Sequence, residues 1–174
     1  MVAILRSADE LSTLTPTQQR VVEKIAAGLS NQQAATELGM KTGTLAGHVM
    51  SIGHKFGVTS RPAKVHAALA SGQACAPDAP ATVPDFTEDE LRLLHAVATC
   101  SENDEIAAAA RIAPVLVTTR IRDLVERAGA LNSSHLIGLA HAWKLLSTRT
   151  ALEPGTAAVP SPTSPHHPVS GSAR

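Results

Sequence analysis

An all-α fold built from two tandem four-helix modules is what this sequence predicts, and three observations carry the prediction. Helix start signals punctuate the chain at short intervals: Thr15 with Gln18, Ser30 with Gln33 and Thr87 with Glu90 each read as a capping box. The pattern of apolar residues recurs without insertion at the offset that separates Thr15 from Thr87. Few segments show β-branched alternation, and the aromatic side chains are limited to Phe56, Phe86 and Trp143, so strands are not expected.

The first helix opens on the Thr15 cap, with Pro16 suited to the first helical position, and buries Val21, Val22 and Ile25. Gly28 is a natural stop. Ser30 and Gln33 open a short second helix through Ala34, Ala35 and Leu38, and Gly39-Met40-Lys41-Thr42-Gly43 is a turn. A third helix places Leu45, Val49, Ile52 and Phe56 on one stripe and ends at Gly57. Two short helices joined by a glycine-containing turn have the sequence form of a helix-turn-helix.

The run from Leu14 to Arg61 resembles the LuxR/GerE-type DNA-binding domain. The residues that carry the resemblance are Leu14-Thr15-Pro16, Val21, Gly28, Ser30-Asn31, Ala35, Leu38, Gly43-Thr44, His48, Ile52, Lys55, Gly57-Val58 and Arg61. The resemblance implies a four-helix domain over residues 12–72, whose fourth helix follows the Ser60 cap. It implies that the third helix enters the major groove of double-stranded DNA and that the fourth makes a dimer contact. It also implies a bacterial transcriptional regulator; a cytoplasmic location is expected from the lack of a signal peptide or membrane span, and the transcription machinery is the candidate partner of the rival, protein-binding reading.

With the apolar stripe buried, the third helix is expected to present Ala46, Gly47, Met50, Gly53 and His54 to solvent. Ala46 and Met50 suit thymine methyl groups, and Gly47 permits close approach to the groove. Lys41, Thr42, Thr44, His48, Ser51, Lys55 and Arg61 complete the candidate DNA-contacting set as positioning groups. The sequence departs from the family at Ala46, where a Lys is common, so bidentate guanine reading is absent from the centre of this helix.

A second, degenerate copy is expected over 86–148. Thr15 pairs with Thr87, Arg20 with Arg92, Asn31 with Asn103, Ala35 with Ala107 and Gly57 with Gly129. Its third helix presents Thr118, Thr119, Arg120 and Arg122 as candidate DNA contacts, with Arg122 either reading a guanine or pairing with Glu126. Residues 73–85 read as a Pro/Ala linker. The fifteen residues from Ser71 to Asp85, in polyproline form, reach on the order of 45 Å, against roughly 34 Å between half-sites one helical turn apart. Both modules are therefore expected to engage one duplex as a covalent pseudo-dimer, or the fourth helix mediates self-association. The tail, 149–174, is expected to be disordered from its Pro, Ser and Thr content.

Charge divides the two copies. The chain is neutral overall, but residues 14–70 carry six Lys/Arg against Glu23 and Glu37, a balance of +4. Residues 86–146 carry six basic residues against eight acidic ones, a balance of −2. Phosphate neutralisation supplies most non-specific DNA affinity, so the first copy is the better DNA candidate. A helix-turn-helix turned to protein contacts is the rival reading, motivated by Ala46, the acidic second copy and the zero net charge.

An enzyme is not expected, because no nucleophile–base pairing or phosphate loop is present. No cofactor is expected; Cys75 and Cys100 lack framework spacing, and the scattered histidines suggest no metal site. No segment reads as a signal peptide or a membrane span.

Overall fold

The computed structural model describes residues 13–146, and within them the chain is helical with no strand. Helix α1 is Pro16–Ala26, α2 Asn31–Glu37, α3 Thr42–Phe56 and α4 Arg61–Ala70. Helix α5 is Glu88–Thr99, α6 Asn103–Ala110, α7 Val117–Arg127 and α8 Ser133–Ala142, with a 3-10 turn at Pro114–Leu116 leading into α7. The expected tail lies outside the described residues.

Local chemistry sets these boundaries. Thr15 Oγ1 accepts from the Gln18 N–H at 3.3 Å while Gln18 Oε1 accepts from the Thr15 N–H at 3.0 Å, closing the first capping box. The same reciprocal pair forms at Ser30 and Gln33, at 3.3 and 2.9 Å, and again at Thr87 and Glu90. Helix α3 ends where Gly57 takes φ 67°, a left-handed conformation without a Cβ penalty. Ser60 caps α4 by accepting from the Ala63 N–H at 3.2 Å, and Asn132 caps α8 by accepting from the His135 N–H at 3.0 Å.

The element starts at 16, 31, 42 and 61 are followed by starts at 88, 103, 114 and 133, each pair separated by the same interval as Thr15 and Thr87. One difference falls in the turn before the third element. Gly39 holds φ 65°, whereas Arg111, its counterpart at that interval, is forced to φ 57°. Pro114-Val115-Leu116 then winds as a 3-10 turn before α7 begins.

Hydrophobic burial joins the two halves into one core. Val21, Val22, Ile25, Leu45, Ile52 and Val65 share a continuous cluster with Leu94, Val97, Leu124, Leu136 and Ile137. Helix α4 lies against α8, and each then reaches across to the first helix of the other half, α4 to α5 and α8 to α1. Their caps reach across as well. Ser60 Oγ donates to the Cys100 carbonyl at 3.4 Å, and Asn132 Nδ2 donates to the Gly28 carbonyl at 2.9 Å. Ser60 and Asn132 are separated by that same interval, and so are Gly28 and Cys100. The contact is isologous in form, as in a two-fold dimer, but lies within one chain.

The segment between α4 and α5 does not stand out as the extended spacer that its composition suggests. Gln73 Oε1 accepts from the Leu14 N–H at 2.6 Å, the Cys75 N–H donates to Glu23 at 3.2 Å, and Trp143 Nε1 donates to the Pro80 carbonyl at 3.0 Å. The Pro77 ring packs over Gly138, where a Cβ would also meet the Ala26 carbonyl. Direct packing of α4 on α8 and α5 brings the ends of the segment to the same body, so the Pro/Ala run lies along it.

Candidate nucleic-acid interface

Helix α3 is fixed from beneath by Leu45 and Ile52, both fully buried, with Val49 and Phe56 packed at the edge of the core. Its outer side exposes Thr42, Gly43, Thr44, Ala46, Gly47, Met50 and His54, with Lys41 exposed at its N-cap. Met50 is 64% exposed, a large apolar side chain held out in solvent. His48 and Ser51 are half-buried, and Ser51 Oγ accepts from Gln18 Nε2 at 3.0 Å. Gly53, expected on the outer side, is buried: it sits under the stem of Lys64 and the Val58 carbonyl, where α3 closes on α4.

Two of the candidate cations face inward. Lys55 Nζ donates to the Thr13 carbonyl at 2.6 Å and to Gln18 Oε1 at 2.9 Å. Arg61 donates to the Leu29 carbonyl at 2.7 Å, and burial lowers its pKa from the usual guanidinium value. Lys24 pairs with Glu37 at 2.7 Å. Of the six cations of the first half, Arg20 and Lys41 are the exposed ones without a salt bridge or hydrogen bond among the described residues. Three of the six cations, Lys24, Lys55 and Arg61, are thus engaged in holding this half together.

The Lys55 arrangement recurs in the second half. Arg127, which stands from Lys55 at the interval that separates Thr15 from Thr87, donates to the Asp85 carbonyl at 2.6 Å and to Glu90 Oε1 at 3.0 Å. Asp85 and Glu90 are in turn the counterparts of Thr13 and Gln18. In both halves a cation at the end of the third helix ties down the segment entering the first helix and the polar residue of its capping box. Sequence reasoning missed this role; the signal that could have found it is the common interval separating Lys55, Gln18 and Thr13 from Arg127, Glu90 and Asp85.

In the second half Thr118, Thr119, Arg120 and Arg122 are all exposed. Arg122 takes part in no salt bridge among the described residues, so it is not paired with Glu126. Arg120 lines a groove beside α5 together with Asp89, Glu90 and Asp123. Its company is acidic, which opposes a phosphate at that position. Val115, 82% exposed, and Leu116 place an apolar step at the entry to α7.

Histidines that the sequence leaves scattered meet at the contact between the halves. His66 Nδ1 on α4 lies 2.9 Å from His141 Nε2 on α8, with the rings tilted and their centroids 5.0 Å apart. Burial and the neighbouring His66 lower the pKa of His141 to about 4. Burial, and then His95, lower that of His66. Among the described residues no group of three or more His, Cys, Asp or Glu is placed to hold a metal ion, and no helix is long and apolar enough to cross a membrane.

Comparison with known proteins returns one family. Residues 12–68 match the GerE family, described as bacterial regulatory proteins of the luxR family. The match covers α1 to α3 and most of α4. No curated protein and no solved structure matches the chain.

Proposed function

We propose that this chain is a DNA-binding transcriptional regulator whose first module, 12–72, sets α3 into the major groove of double-stranded DNA. The family match over 12–68 carries this reading. The exposed outer side of α3 supports it, since Thr42, Thr44, Ala46, Gly47 and Met50 present hydroxyls, a methyl and an open backbone with no carboxylate among them. Lys41 at the N-cap is then the phosphate contact of this helix, with His48 at its flank. Lys55 and Arg61 act in this scheme as supports of the helix frame.

The second half, 86–148, is in our reading a diverged copy of the first, joined through 73–85. The constant interval between element starts and the recurring cation clamp support it. The reciprocal packing of α4 and α8 supports an internal pseudo-dimer in place of a partner chain. Within that pseudo-dimer, Arg122 with Thr118 and Thr119 forms the second, weaker DNA contact.

A second reading has one observation in its favour. The outer side of α3 lacks a cation at its centre and exposes Met50, which suits a protein surface of the transcription machinery better than a phosphate chain. Titration of the intact protein against random-sequence duplex DNA at low and moderate salt separates the two. DNA binding loses affinity steeply with salt, with a slope near 0.9 per phosphate contact. No binding at low salt refutes the DNA reading and leaves the protein-contact reading.

A further inference from the structure

Where the two halves meet, a groove of about 290 Å³ opens between the start of α2 and the start of α8. Ser30, Gln33, Arg61, Asn132, Ser133 and Ser134 supply its polar wall, and no Asp or Glu lines it. We propose that this groove binds a small phosphate-type oxyanion, clamped between the two modules.

Four features of the wall converge on that chemistry. Helix α8 is ten residues long, and its N-terminus faces the groove with the partial positive charge of an aligned peptide ladder. Asn132 satisfies the N–H groups of His135 and Leu136, whereas those of Ser133 and Ser134 have no partner among the described residues. Ser134 is 2% exposed, yet its hydroxyl makes no hydrogen bond among the described residues. Ser134 lines the groove, and its oxygen is not among the sealed, unpaired side-chain atoms of the described residues, so it keeps an opening. Arg61 brings a guanidinium that uses one N–H on the Leu29 carbonyl and has others to give.

The corresponding corner on the other side of the pseudo-dimer is occupied by the protein's own oxygen. Ser101 Oγ accepts from the Thr59 and Ser60 N–H groups, both at 3.2 Å, and Pro62 removes an N–H from the first turn of α4. Nearby, Glu105 accepts from the Ser101 and Glu102 N–H groups at 3.1 and 3.3 Å. At the Ser133 corner no internal oxygen among the described residues plays that part. An anion there touches Arg61 of one half and Ser133 and Ser134 of the other, so its binding ties the halves together. The site does not depend on the DNA-binding reading.

The test is a titration of the intact protein with inorganic phosphate in the absence of DNA, followed by backbone amide shifts and by thermal unfolding. Saturable shifts centred on Ser133 and Ser134, with a melting temperature that rises with phosphate but not with chloride of equal ionic strength, are expected. Ser133→Asp is the discriminating variant, because a carboxylate in the first turn favours the helix while repelling the anion. It should fold at least as stably without phosphate and bind phosphate at least tenfold more weakly. Ser134→Ala, which removes only the hydroxyl, should weaken binding severalfold. Linear, non-saturating shifts, an equal response to chloride, or unchanged binding in Ser133→Asp would each overturn the proposal. Adding duplex DNA to the phosphate-loaded protein tells the source apart. Competition means that the backbone of DNA is the natural occupant, and independence means a free phosphate compound.

Discussion

Replacing Lys55 by Met keeps the aliphatic stem of the side chain and removes its charge, which isolates what the ammonium does. In the folded protein that ammonium donates to the Thr13 carbonyl at 2.6 Å and to Gln18 Oε1 at 2.9 Å. Hydrogen bonds from a charged donor contribute about 1.5–3 kcal/mol each when well shielded. Lys55 is only half-buried, and solvent screening reduces that figure, so a loss of about 1–2 kcal/mol for the pair is the expected cost. For a chain of this size the shift corresponds to a fall of roughly 3–6 °C in melting temperature. A lost phosphate contact has a different signature, reducing the salt slope of DNA binding by about 0.9 with little change in stability. Differential scanning calorimetry of Lys55→Met, paired with DNA binding at several salt concentrations, reads both quantities. A melting temperature within a degree of the parent, with a slope reduced by about one unit, would refute the clamp.

Further outcomes follow from other sites. Arg111→Gly should stabilise the protein by about 1 kcal/mol, because φ 57° costs a non-glycine residue about that much; chemical denaturation measures it, and a destabilised variant contradicts the argument. Gly138→Ala should destabilise by about 1–3 kcal/mol, since the new methyl group meets the Ala26 carbonyl and the Pro77 ring; an unchanged denaturation midpoint would show that the contact yields freely. Acid should loosen the junction of the halves. His141 titrates near 4 and His66 below its ordinary value when folded, whereas both protonate near 6.5 when unfolded. The unfolded chain therefore binds more protons between about 6.5 and 4, and stability present above that range is lost as pH falls through it. Melting temperature measured across this window should fall toward acid, and His141→Gln should flatten the dependence; a profile of equal steepness in the variant would place the titration elsewhere.

How much of this was legible in the sequence depends on how far apart the interacting residues are. The caps at Thr15, Ser30, Ser60 and Thr87 act on N–H groups three residues on, so the sequence displays both partners within one glance. Amphipathic stripes are equally local, which is why Leu45 and Ile52 were legible as core. Gly53 was placed on the wrong side, because the helical period describes one helix and not the close approach of Lys64 and Val58 from the next segment. Lys55 and Thr13 are separated by 42 residues, and a lone lysine at a helix end gives no sign that its ammonium turns inward. The Pro/Ala segment suggested a spacer through its stiffness, but its course is set by Gln73, Glu23 and Trp143, the last of them 63 residues from its partner. His66 and His141 lie 75 residues apart and had no spacing to read.

The reciprocal seam between α4 and α8 has a consequence for dilution. Two separate chains joined by such a seam would part as their concentration fell below the dissociation constant, and their occupancy would follow expression level. Within one polypeptide the partner is always present, at an effective concentration on the order of millimolar for a short tether. The pairing is then first order, indifferent to how many copies a cell holds. It also frees the two faces from having to be identical, since a substitution in one half is not copied into the other. In the proposed pseudo-dimer, Arg111 standing where the first half has Gly39, and Ser133 where it has Arg61, are differences that an obligate homodimer could not contain.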